Sequence, residues 1–86
     1  MPIRHKFNGV AYEVAFDAKR LTKRQDGVCS APRPFIAIRP TARGRRRLEL
    51  IIHEALHASD YDKPEAEVAR TARDIAGLLW KLGYKK

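Results

Sequence analysis

The N-terminal third of the chain alternates in polarity. Ile3, His5 and Phe7 lead to Asn8-Gly9, and the run Val10-Ala11-Tyr12-Glu13-Val14-Ala15-Phe16 follows. Residues two apart share a face of a strand, and Asn-Gly suits the two positive-φ positions of a tight turn, so a β-hairpin is expected. Residues 17–27 are polar and charged and read as a loop or a short helical turn. Phe35-Ile36-Ala37-Ile38 is the next strand expected. Pro34 and Pro40 bracket it and place it near the sheet edge, since proline has no N–H to give to a ladder.

The period changes after Thr41. Leu48, Ile51, Ile52, Ala55 and Ser59 recur at helical spacing and predict a helix over 41–59. A second helix is predicted over 64–83, opened by Pro64, striped by Val68, Ala72, Ile75, Leu79 and Leu82, and stopped by Gly83. The short linker Ser59–Lys63 turns the second helix back on the first. Gly77 costs its helix about 1 kcal/mol relative to alanine, which implies a close helix–helix approach there. No repeat or low-complexity tract divides the chain. The expected fold is a single α+β domain (1–86), a small antiparallel sheet (1–40) packed on two helices.

Length sharpens this expectation. A chain of 86 residues buries a small core and gains from a metal, a disulfide or a partner. Cys29 is the only cysteine, which excludes an intrachain disulfide and suits a reducing, cytoplasmic compartment. No apolar stretch is long enough to span a bilayer, and Met1-Pro2-Ile3-Arg4 has no signal-peptide pattern, so no membrane association is expected.

The chemistry lies in His53-Glu54-Ala55-Leu56-His57. Histidines four apart on a helix stand one above the other and reach one ion, whereas Glu54 points about 100° away, where a general base belongs. The surrounding segment 48–58 is largely apolar, and half-buried imidazoles and a carboxylate need partners that a metal supplies together. Zinc accepts neutral imidazole and, in catalytic sites, keeps a position for water. A third histidine six residues past His57 is excluded, because Lys63 stands there. Glu65, three residues before Val68, extends the core-facing stripe of the second helix and ranks first as third ligand. Asp62, Asp60 and Glu67 follow.

This order of sheet, HExxH helix, linker and carboxylate-bearing helix resembles the zincin metallopeptidases. It is most similar to their smallest glutamate-ligand members, the minigluzincins, and to SprT-like and ImmA-like domains of phages and bacteria. The resemblance implies a zinc-dependent peptide hydrolase with His53, His57 and Glu65 as ligands and Glu54 activating water. It also implies a substrate peptide paired with an edge strand, in the place of Phe35, Ile36, Ala37 and Ile38. For the oxyanion, Tyr61, Tyr84 and His5 are candidates.

Charge adds a rival. Lysine and arginine number 18 against 10 acidic residues, a formal net charge of +8 that attracts polyanions. Arg43, Arg45, Arg46 and Arg47 crowd a helix start, against its dipole, and suggest phosphate contact. The alternative function is thus a small basic nucleic-acid-binding module with a structural or vestigial zinc site. Lys19-Arg20 and Lys23-Arg24 form a second basic group.

Overall fold

The computed structural model describes residues 2–30 and 33–84. Strands β1 (Ile3–Phe7) and β2 (Val10–Phe16) form the expected hairpin, in register from Ile3 opposite Val14 to Phe7 opposite Val10. Asn8 and Gly9 both take positive φ, 51° and 80°, as a type I′ turn requires. One 3₁₀ turn, Ala18–Arg20, follows, its start capped by Asp17, which accepts the Lys19 N–H at 2.9 Å. Strand β3 (Gly27–Ser30) comes next, then β4 (Phe35–Ile38), and the helices α1 (Gly44–Ser59) and α2 (Glu65–Lys81) complete the chain. The α+β class is therefore as expected, and so is the pairing of a small sheet with two helices.

The sheet differs from expectation in the direction and in the place of β4. Its order is β1-β2-β4-β3, with β4 parallel to β2 and antiparallel to β3, so the sheet is mixed and β4 is an interior strand. Pro34 and Pro40 lie just outside β4 and remove no donor from its ladder, so they do not force it to an edge. The Pro34 carbonyl even accepts the Glu13 N–H at 3.1 Å. The edge on that side is β3, of which only Gly27 falls in the segment expected to be loop, and for the rest no strand is predicted. Arg39 fastens it: its backbone N–H donates to the Asp26 carbonyl at 2.7 Å, and its guanidinium donates to the Thr22 carbonyl at 2.7 Å and to that of Gln25.

Helix α1 lies between the sheet and α2, and α2 packs on α1 alone. That placement explains why residues 47–58 of α1 are all buried or half-buried. Toward the sheet, Leu50 joins Tyr12, Ile36 and Ile38 in the buried core, with Phe7, Val14, Cys29 and Ile51 packed around them. Toward α1, helix α2 presents Val68, Ala72, Ala76 and Gly77, all buried. Val68 and Ala72 of the predicted stripe are thus where expected and Leu79 is half-buried, whereas Ile75 and Leu82 are exposed, with Leu78 beside them. Small side chains let the two helices approach, and the larger aliphatics take the neighbouring line. At Gly77 an added Cβ would come within 2.8 Å of Arg45 Nη2, so the close approach expected there exists and is made by an arginine of α1.

Helix α2 carries Glu65 and Glu67 in its first turn and Lys81 in its last, all favourable to the helix dipole. It stops in a Schellman motif, the N–H of Gly83 bonding Trp80 O and that of Tyr84 bonding Leu79 O, with Gly83 at φ 96°. Among the described residues no helix is long and apolar enough to cross a membrane.

Candidate metal centre

The last two turns of α1 place His53 and His57 one above the other, with ring centroids 4.9 Å apart. The linker then folds tightly: Asp60 N–H bonds Leu56 O at 2.9 Å, and Lys63 N–H bonds Asp60 O at 3.1 Å. Pro64 starts α2 immediately afterwards, and its carbonyl accepts the N–H of Glu67 and of Val68. Glu65 is thereby swung over the end of α1. Its Oε2 lies 2.9 Å from His53 Nε2 and its Oε1 2.7 Å from His57 Nε2.

Each of the three residues offers a donor atom, all within 4.8 Å of one another, so the group can hold a metal ion. A tetrahedral ion with bonds of about 2.0–2.1 Å would space its ligands by about 3.3 Å, slightly wider than these contacts. Glu65 is the partner free to yield. Its side chain is 68% exposed, whereas those of the histidines are 18% exposed. Two imidazole nitrogens and one carboxylate oxygen make a borderline donor set that suits zinc and leaves a position for water or substrate.

One residue along α1 the environment changes. Glu54 turns toward β3 and is 5% exposed, the only buried charged residue among those described. A Cβ on Gly27 would stand 2.9 Å from Glu54 Oε2, so β3 can border this carboxylate only where it lacks a side chain. Burial, and then the negative charge of Glu65, push the Glu54 carboxyl up to about 7. Burial followed by the charge of Glu54 raises the Cys29 thiol to about 11, with a hydrogen bond from Tyr12 acting in the opposite direction. Tyr12 is itself raised by burial and by Cys29. A cleft of about 370 Å³ runs between these groups, walled by Gly27–Cys29 on one side and by His53, Glu54, His57 and Glu65 on the other. Tyr61 also lines it, its ring 6.5 Å from that of His57.

The other third-ligand candidates lie outside this group. Asp60 ends α1, Asp62 is exposed, and Glu67 faces Lys63 at 3.7 Å. His5 stacks edge-on against Phe7, and Tyr84 borders an apolar hollow with Phe16, Leu48 and Ile51, so of the three oxyanion candidates only Tyr61 adjoins the cleft. Phe35, Ile36, Ala37 and Ile38 belong to the interior strand β4, where both neighbours already use the backbone, so they do not form the edge beside the site. That position is held by Gly27, Val28 and Cys29 of β3, which the sequence reading missed. The Asp26-Gly27 pair, a glycine set among half-apolar residues, was the available signal.

The arginine run is largely used within the fold. Arg43 donates to the carbonyls of Pro40 and Ala42, and Arg45 lies over Gly77. Arg46 pairs with Asp26 at 3.2 Å and Glu49 at 3.4 Å, and Arg47 stacks on Phe16 at 4.0 Å. These contacts offset the unfavourable placement of cations at a helix start.

Comparison of the chain with protein-family models, with curated proteins and with solved structures found no match. The candidate centre therefore stands on its own donor geometry and on the HExxH spacing.

Proposed function

We propose that the chain is a minimal zinc-dependent peptide hydrolase. One observation carries this reading: two imidazoles a helical turn apart direct their Nε2 atoms at the two oxygens of a single carboxylate from the next helix. His53, His57 and Glu65 would hold the ion. Zinc held there would supply Lewis-acid polarisation of a water molecule and of the scissile carbonyl. Glu54, buried beside the histidines, would take a proton at its Oε atoms and return it to the leaving amine. The outer edge of β3 has backbone groups free to pair with an extended peptide, and the residues beside the cleft, Gly27–Cys29, belong to that strand. Tyr61 adjoins the cleft where an oxyanion would need a donor.

A structural zinc favours a closed set of four protein donors, whereas the group found among the described residues has three. A buried carboxylate beside an open position can serve as a general base, a use that a closed site lacks. These two points support the catalytic reading over the structural one.

Metal analysis together with peptide hydrolysis tests it. The expected result is one zinc per chain, lost in His53→Ala and in His57→Ala, and cleavage of a quenched fluorescent peptide library that stops in Glu54→Gln while zinc stays bound. A protein that takes up no zinc, or a Glu54→Gln variant as active as the parent, would overturn the proposal.

A further inference from the structure

The two faces of the sheet are chemically opposite. Tyr12, Val14, Cys29, Ile36 and Ile38 point to α1. Residues of the other parity share the far face, and strand pairing places Arg4, Glu13, Phe35 and Ser30 in one row across all four strands. Lys6, two residues from Arg4, belongs to the same face. The 3₁₀ turn after β2 brings in Arg20, whose guanidinium lies 4.8 Å from the centroid of the Phe35 ring and 2.7 Å from Glu13. A hollow of about 580 Å³ opens here, lined by Arg4, Glu13, Arg20, Arg33 and Phe35 among others.

Three guanidinium groups meet one carboxylate in this hollow, and Arg20 already neutralises that carboxylate. Among the described residues Arg4 and Arg33 have no ion-pair partner. They contrast with Arg43 and Arg45–Arg47, which are engaged within the fold. A net charge of +8 attracts polyanions, and here unpaired guanidinium groups adjoin an aromatic ring in one hollow, on the side of the sheet away from the candidate metal centre.

We propose that this face binds single-stranded nucleic acid. Planar guanidinium forks match phosphate oxygens in bidentate geometry. An arginine plane stacked on an aromatic ring is a platform on which a base can lie. Carboxylate side chains would satisfy the charge but bring no flat ring to stack, whereas every nucleotide carries both a phosphate and a base. A duplex keeps its bases stacked on one another and offers none to a sheet face, which favours the single strand.

Fluorescence anisotropy with a labelled oligothymidylate of about 12 nucleotides, within the span such surfaces cover, tests the proposal. Affinity should fall steeply with added potassium chloride. Arg4→Gln with Arg33→Gln should weaken binding at least tenfold and lower the log–log salt slope by about 1.4, as expected for two lost contacts to a single strand. Arg70→Gln with Arg73→Gln removes the same charge from the exposed side of α2 and should cost less than threefold. An abasic strand of equal length should bind the unaltered protein at least fivefold more weakly, because it cannot stack. Four results would each overturn the proposal: equal losses in the two double variants, affinity indifferent to salt, equal binding of the abasic strand, or equal competition by polyglutamate.

Discussion

Two carboxylates flank the end of α1 and live in opposite conditions. Glu65 comes from α2, is 68% exposed, and spans two imidazoles. Glu54 belongs to α1 itself, is 5% exposed, and faces β3 across Gly27. Glu65 reaches the imidazoles from the solvent side, where its carboxylate can shift to meet an ion. Burial pushes the Glu54 carboxyl up to about 7, as a proton carrier requires. A step of one residue from His53 to Glu54, about 100° around the helix, separates the side that meets Glu65 from the buried side, because α1 has α2 on one side and the sheet on the other.

The largest effect should come from dismantling the exposed side. His57→Ala removes one donor of three and should reduce zinc affinity more than a hundredfold, with hydrolysis falling to background. Isothermal titration with zinc and the peptide assay would measure both. Glu65→Gln keeps the shape but removes the charge, and should retain weak binding. If Glu65→Gln held zinc as tightly as the parent, the third ligand would have to be another residue.

Glu54→Gln attacks the buried side and should separate from His57→Ala in every readout except hydrolysis. Turnover should drop by about 10²–10⁴, the usual contribution of a general base, with zinc still bound. It also predicts a pH effect on the metal-free protein. Glu54 is raised in the folded state, so between about 4.5 and 7 the unfolded chain releases a proton that the folded chain keeps. Folding stability contributed by this group is full below that window and declines as pH rises through it, by about 3 kcal/mol. Urea melts in a chelator at several pH values should show the decline in the parent and its loss in Glu54→Gln.

The exposed side was far more legible in the sequence than the buried one. His53, His57 and Glu65 follow from local arithmetic: four residues along one helix, and a carboxylate three before Val68 on the next. The hairpin was equally local, fixed by Asn8-Gly9. What the sequence concealed was long-range. The four-residue strand β3 exists because β4 and Arg39 hold it, and nothing in Gly27-Val28-Cys29-Ser30 alternates strongly enough to announce it. The insertion of β4 between β2 and β3 is likewise a choice among pairings that local pattern leaves open. On α2, Ile75 and Leu82 have the right period but the wrong phase, because contact with α1 selects small residues over large ones.

Gly27→Ala sharpens the comparison from the strand side. The new methyl meets Oε2, Cγ and Cδ of Glu54 at 2.9, 3.3 and 3.4 Å, so the whole carboxyl head must shift inside a packed region. A cost of about 1–3 kcal/mol is expected, as for other overpacked sites. Because the displaced group is the proposed proton carrier, hydrolysis should fall as well, by up to about a hundredfold for a displacement near 1 Å. Thermal melts and the peptide assay together would reveal both. A loss of stability with unchanged turnover would show that the position of Glu54 is not critical to the reaction.

Gly77→Ala is the matching change on the other helix, and it should do least. Its methyl would meet Arg45 Nη2 at 2.8 Å and Cζ at 3.4 Å, a clash as close as that at Gly27. The partner differs: Arg45 is an exposed residue whose contact atoms are the far end of a long side chain, so it can swing into solvent. Against that displacement stands the gain of about 1 kcal/mol when alanine replaces glycine inside a helix. The two nearly cancel, and the melting free energy should change by no more than about 0.5 kcal/mol. Repeating the substitution in an Arg45→Ala background removes the clash and should uncover the full helical gain of about 1 kcal/mol. If Gly77→Ala destabilised the protein equally with and without Arg45, the tight spot would be backbone against backbone. The distinction between a yielding surface cation and an unyielding buried carboxylate would then fail at this glycine.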